Sequence, residues 1–245
     1  MSTAPRLFVN GYDVGGVNYS ESPIPRMKNH GTLTSLAEVE AFLNAHEVSS
    51  GKFTDLQVGD YITLAGYTCY IAGFDTEYNK GDSTVLTDHH ISFVADFGGS
   101  KMNSSNTTSG GYESASVMQS FLTTKAGEIA NIASTHLKTR NCCTSNSTSG
   151  GKSSGWGWND HKLTLLTETQ VTGAVQWGNA YDTGEGNSIL PIFEYFNPIA
   201  LFGRKHMWLR GVYSSETFCA VRQMGILNNG YASSELAAVA LFVIG

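Results

Sequence analysis

The 245-residue chain reads as an α+β protein, and three observations predict that class. Segments with helical spacing lie early and centrally, at 34–46 and 114–137, whereas β-like segments recur through the C-terminal half. Gly, Ser, Thr and Asn fill the stretches between them, as a loop-rich fold requires. No linker separates two cores, and no internal repeat is visible.

The first thirty residues hold "RLFVNGYDV" and then "ESPIPRMKNHG", where two prolines and a glycine exclude a helix. Leu7, Phe8 and Val9 need burial somewhere. A disordered tail and an arm that adds a strand to a neighbouring subunit both stay open. "TSLAEVEAFLNAH" follows, with Ser35 and Glu38 spaced as a capping box. Leu36, Val39, Phe42 and Leu43 form one helical stripe.

"FTDLQVGDYITLAGYTCYIAGFDTEY" predicts two antiparallel strands, with Gly59-Asp60 leading into the first and Gly66 dividing them. "HHISFVADF", 89–97, is a further strand, and 98–113 is a Gly/Ser/Asn/Thr loop with nothing to pack. Val117, Met118, Phe121 and Leu122 predict one helix, and Ile129, Ala130, Ala133 and Leu137 a second, broken from the first at Gly127. Beyond it the sequence predicts a long polar loop carrying Trp156 and Trp158, then a short strand near Lys162–Leu166. "TETQVTGAVQWGN" is a short helix or turn, and "AYDTGEGNSILPIF" is loop. Trp208-Leu209-Arg210 and 239–244 are strand-like framework, which leaves 211–238 as a presented surface.

With 41% apolar and 11% aromatic residues the chain has ample material for a core. Charged residues are only 15%, a balance that leans towards extracellular or particle-surface life. A net charge of −6 argues against nucleic acid, since Arg204-Lys205-His206 is a cluster and not a basic stripe. The N-terminus lacks a signal-peptide pattern, and the apolar run at 236–244 is too short to span a bilayer. The expected site of synthesis is therefore the cytoplasm, without membrane insertion. Cys69, Cys142, Cys143 and Cys219 form no CxxC, so buried thiols are expected. Sequons at Asn18, Asn103, Asn106 and Asn146 would matter only in a secretory pathway.

"GGKS" at 150–153 fails as a phosphate loop because position 146 is Asn and the flanks are polar loop. His89 and His90 point to opposite faces of a strand, so only one could enter a metal site. The oxygen-rich loops 75–83 and 182–187 could coordinate Ca²⁺, although neither has EF-hand spacing. No GxSxG is present, and a catalytic role is not expected.

"GWGWNDHKLTLLTETQVTGAVQWGN", "MWLRGVYSSETFCAVRQMG" and "LAAVALFVIG" together resemble, in this order, the C-terminal domains of phage and prophage tail or fibre-like virion proteins. The resemblance covers roughly residues 90–245 and implies a C-type-lectin-like fold of the formylglycine-generating-enzyme-like kind. Gly211 stands where the family tends to have Asp, and the terminal strand lacks the family's Arg-Pro. Some such phage proteins are targets of diversity-generating retroelements. The scatter of Gly211, Tyr213, Ala220, Arg222, Ile226, Leu227 and Tyr231 beside Asn228 and Asn229 resembles a randomised segment.

The resemblance implies an N-terminal arm and short helix for assembly at 1–50, and a lectin-like domain at 51–245 with a ligand-binding region at 205–240. Tyr213, Glu216, Arg222, Gln223, Met224, Ile226 and Tyr231 would supply contacts to a host cell-surface protein or glycan, since aromatic, Arg and Met side chains carry much interface energy. Trp156, Trp158, Trp177 and Trp208 would stabilise the fold. Display on a virion surface implies a homo-oligomer, with other virion proteins docked through the arm. A decoration protein without receptor is the alternative. A sulfatase-modifying-type oxidase using Cys142 and Cys219 is the third reading.

Overall fold

The computed structural model describes residues 8–9, 12–13, 27–83, 85–178 and 189–245. In chain order the first elements are β1 (Phe8–Val9), β2 (Tyr12–Asp13), β3 (Asn29–Leu33), α1 (Leu36–Ala45), β4 (Tyr61–Leu64), β5 (Tyr67–Phe74), β6 (Ile91–Ser100) and α2 (Ser116–Ala133). They continue with β7 (Arg140–Ser149), β8 (Lys152–His161), β9 (Thr164–Leu165), α3 (Glu168–Thr172), α4 (Pro191–Tyr195) and α5 (Pro198–Phe202). The last four are β10 (Met207–Val212), β11 (Thr217–Val221), β12 (Leu227–Tyr231) and β13 (Leu236–Ile244).

Nine strands form one mixed sheet, ordered β12-β11-β10-β13-β6-β5-β4-β3 with β9 beside β13. Helices cover both faces, which gives three layers and the α+β class read from the sequence. On one face Phe93, Ala95 and Phe97 of β6 and Ala240 and Phe242 of β13 pack beneath α1 and α2. On the other, Val94, Val239 and Leu241 meet Val171 of α3, Ile192 and Phe193 of α4, and Leu201 and Phe202 of α5. Because β13 is buried on both sides, its sequence is a continuous apolar run and not an alternation.

The first helix forms as its stripe predicts, and Ser35 Oγ accepts the Glu38 N–H at 3.3 Å. Glu38 returns to the residue before the cap, accepting the Thr34 N–H at 2.6 Å. Leu36 is the exception in the stripe and lies exposed. This helix and β3 share the sheet and core of the rest of the chain, since β3 pairs in parallel with β4. Buried Asp60 fixes that junction by accepting from Lys28 N at 2.8 Å, His30 Nε2 at 2.9 Å and Gln57 N at 3.1 Å.

Three expectations are corrected. Gly127 does not break α2, which runs unbroken with Met118, Leu122, Ala126, Ile129 and Ala133 buried along one side. Burial of that stripe outweighs the roughly 1 kcal/mol propensity cost of one exposed glycine. Residues 98–113 do pack: Met102, Thr108 and Tyr112 are fully buried, and Ala232 O accepts the N–H groups of both Met102 and Asn103. Asn103 Oδ1 also accepts the Ser116 N–H at 2.9 Å, capping α2 from outside the helix. The polar stretch after 140 is no loop but the hairpin β7–β8, paired from Arg140↔His161 to Ser149↔Lys152. Its turn is Gly150-Gly151, with φ of 57° and 75° at the two positions where a right-twisted hairpin needs a left-handed backbone.

Candidate functional site

Of the residues expected to contact a ligand, Tyr213 and Glu216 lie between β10 and β11, Arg222, Gln223, Met224 and Ile226 lie between β11 and β12, and Tyr231 ends β12. β11 pairs with β12 from Thr217↔Tyr231 to Val221↔Leu227. All five residues of β11 are buried: Phe218 and Ala220 enter one core, Cys219 and Val221 the other. Gly211, Val212 and Ala232 are also buried, so 211–238 is not a surface throughout. The chemical mixture there reflects a strand covered on both faces, followed by an exposed turn.

That turn holds Arg222, Gln223, Met224 and Ile226, all exposed, with Met224 at 67% and Ile226 at 54%. It is closed by Arg222 N donating to Ile226 O at 2.9 Å and Gly225 N donating to Arg222 O at 2.8 Å. Gly225 takes a φ of 78°, which a side chain would resist. Glu216 and Tyr231, both exposed, lie at the other end of the hairpin, about 14 Å away at 3.4 Å per residue. Tyr213 is there too, half-buried, with the Trp177 ring edge-on at 5.1 Å and Lys152 Nζ 4.8 Å from its ring centre. The expected contact set therefore forms two separate groups.

The frame behind the hairpin is built by tryptophan and a buried carboxylate. Trp208 is fully buried, donates its indole N–H to Ser100 O at 2.8 Å, and lies edge-on to Phe218. A Cβ at Gly230 would stand 2.9 Å from that indole, so the edge strand needs glycine there. Glu168, buried at the start of α3, accepts the backbone N–H groups of Gln176, Trp177 and Gly178 and so fixes the Trp177 loop. Trp156 and Trp158 are half-buried on β8.

Beside the turn lies a cleft of about 440 Å³, which sequence reasoning did not find. Arg204, His206, Gln223 and Glu235 line it with the backbone of Gly98 and Gly99. A second cleft of about 380 Å³ is lined by Thr68, Tyr70, Phe202 and Gly203. The two meet at Lys205, whose Nζ pairs with Asp96 Oδ2 at 2.6 Å. Of these residues only Gln223 was among the expected contacts. The basic triplet 204–206 was the available signal, and it gave no hint of Tyr70 or Glu235.

The other chemical candidates are structural. His90 is fully buried, accepts the Glu77 N–H on Nε2 at 3.1 Å and donates from Nδ1 to Asp88 O. His89 stacks on Tyr78 and pairs with Asp75 at 2.7 Å. Within the 75–83 loop Glu77 is buried against Arg140, which also donates to Thr164 Oγ1 at 2.6 Å and Leu241 O at 2.9 Å. The 182–187 loop lies outside the described residues. Among the described residues no group of three His, Cys, Asp or Glu side chains could hold a metal ion. Cys142 and Cys219 are fully buried thiols, one on the β7–β8 hairpin and one inside the main sheet. Burial pushes the Cys69 thiol up to about 12. Glu113 accepts from His161 Nε2 at 3.0 Å, and that partner holds its carboxyl below the usual range against the opposing effect of burial. No helix among the described residues is long and apolar enough to cross a membrane.

Comparisons with protein-family profiles, curated proteins and solved structures give no match.

Proposed function

We propose that this chain is a phage virion protein whose C-type-lectin-like domain binds a host-surface ligand, and that the β11–β12 turn makes the contact. The observation that carries this reading is the pair of exposed side chains Met224 and Ile226, flanked by Arg222 and Gln223, on a turn anchored to buried β11. Large apolar groups held in water beside an Arg are the usual chemistry of an interface centre. A turn closed by two backbone hydrogen bonds is already ordered, which lowers the entropy lost on binding. The resemblance to tail and fibre-like proteins supplies the setting: an oligomer on the virion surface, where many weak contacts add up. In this reading a randomised segment tolerates change at exposed Arg222, Ile226 and Tyr231 but not at buried Gly211 or Ala220.

The test is particle adsorption with the triple variant Arg222→Ala, Met224→Ala, Ile226→Ala. Adsorption should fall at least about tenfold while the purified chain keeps its melting temperature, because none of the three side chains is buried. Adsorption at the parental rate would overturn the proposal. Tyr231→Ala, at the far end of the hairpin, should leave adsorption near normal if the turn alone makes the contact.

A further inference from the structure

The cleft beside the turn and the second cleft adjoin at Lys205 as two lobes of a groove, and its lining indicates what it can hold. The strands beneath it are central ones: β5 pairs with β6, and β6 with β13. β6 pairs with β13 along the lobe of Arg204, from Leu236↔Ser100 to Val239↔Asp96, whereas its register with β5 ends at Tyr70↔Val94. Side chains of both lobes are available for recognition. In one lobe these are Arg204, His206, Gln223 and Glu235, donors and acceptors together, and none of them has a hydrogen-bond or ion-pair partner among the described residues.

The other lobe presents Tyr70, half-buried and set edge-on to Phe202 at 6.0 Å, with the Thr68 side chain and the Gly203 backbone around it. Burial raises the Tyr70 phenol above its ordinary value, so it remains a neutral hydroxyl beside an apolar ring. Between the lobes Lys205 pairs with Asp96, which leaves Arg204 as the groove's cation without an ion pair among the described residues, with Glu235 lining the same lobe. Arg204 has a φ of 58°, a conformation that favours glycine, yet the position carries a guanidinium. Each lobe is within the range of small-molecule sites, about 300–1,000 Å³.

We infer that this groove binds an acidic saccharide, its charged unit in the lobe of Arg204, His206, Gln223 and Glu235 and its neighbouring unit against Tyr70. The inference rests on the reading of this face as the ligand-binding one. A guanidinium suits a carboxylate or a phosphate, Gln and Glu suit vicinal hydroxyls, and an aromatic ring suits the C–H face of a pyranose.

The experiment is calorimetric titration of the full-length chain with digalacturonic acid, trehalose 6-phosphate and maltose. One of the two acidic disaccharides should bind at least about tenfold more tightly than maltose, and which one does distinguishes a carboxylate from a phosphate. Arg204→Gly should weaken that binding at least about tenfold. Glycine suits the left-handed backbone there, so loss of binding cannot be assigned to misfolding. Gln223→Ala should weaken it by a smaller factor. Absence of binding by both acidic probes, equal binding of maltose, or an unchanged affinity in Arg204→Gly would each overturn the inference. Failure here with adsorption still lost in the turn variant leaves the host-binding proposal standing. Saccharide binding with normal adsorption in that variant leaves the groove standing and removes the turn.

Discussion

His90 shows how one side chain ties a loop to the sheet and makes stability depend on pH. It is fully buried, and the Glu77 N–H occupies Nε2, so the neutral ring carries its proton on Nδ1 towards Asp88 O. Desolvation holds its pKa below the ordinary value; Arg140 adds to that, while the Asp88 carbonyl, Asp75 and Glu77 oppose it. The unfolded chain therefore takes up this proton first as the pH falls. The stability that His90 contributes is complete above about pH 6.5 and is lost on acidification through the lower folded value. The melting temperature should fall as the pH drops from about 6.5, and His90→Gln should flatten that slope; an unchanged slope would remove His90 as its source. Glu113, also held low, acts in a separate window below the ordinary carboxylate value near 4.5. Sequence reasoning allowed only one of His89 and His90 to enter a metal site, because strand neighbours point to opposite faces, but it did not say which of the two is buried. It also found Arg222, Gln223, Met224 and Ile226 as surface residues. Arg204, Tyr70 and Glu235 escaped it because the groove assembles them from segments that are distant in the chain, and nothing local marks such a meeting.

At the scale of elements, the misreadings have a common physical origin. The β7–β8 hairpin is written in Ser, Thr, Asn and Gly, so it lacks the apolar alternation by which strands are recognised. What specifies it is the Gly150-Gly151 turn together with pairing along ten residues on each side. In α2 the opposite holds: the apolar stripe was plain, and the glycine within it was given too much weight. Gly127 is exposed, its φ is not positive, and an added Cβ would meet nothing within 4 Å. Gly127→Ala should therefore stabilise the protein by about 0.5–1 kcal/mol, by reducing the entropy of the unfolded chain and improving helix propensity. Urea denaturation measures this directly. A destabilised variant would mean that the helix needs the glycine for a contact that the described residues do not show.

At the scale of the whole molecule, the decisive feature is the place of the last strand. The apolar run at 236–244 was legible as a strand, but its central position in the sheet was not, because order across a sheet leaves no local trace in sequence. β13 lies between β10 and β6, pairs antiparallel with β6 from Leu236↔Ser100 to Ile244↔Ile91, and also receives β9. Every residue of it except Leu236 is buried. Val239, Leu241, Phe242, Val243 and Ile244 alone account for about 8–15 kcal/mol at about 1.5–3 kcal/mol for each buried side chain. That equals the whole stability of a typical domain, about 5–15 kcal/mol. Without β13 the sheet would also open into two halves, with bare edges on β6 and β10. Deleting residues 236–245 should therefore abolish cooperative thermal unfolding and expose apolar surface, read as increased binding of an anilinonaphthalene dye. A truncated chain that still melts cooperatively would show that the two halves of the sheet are stable apart, contrary to the shared core described above.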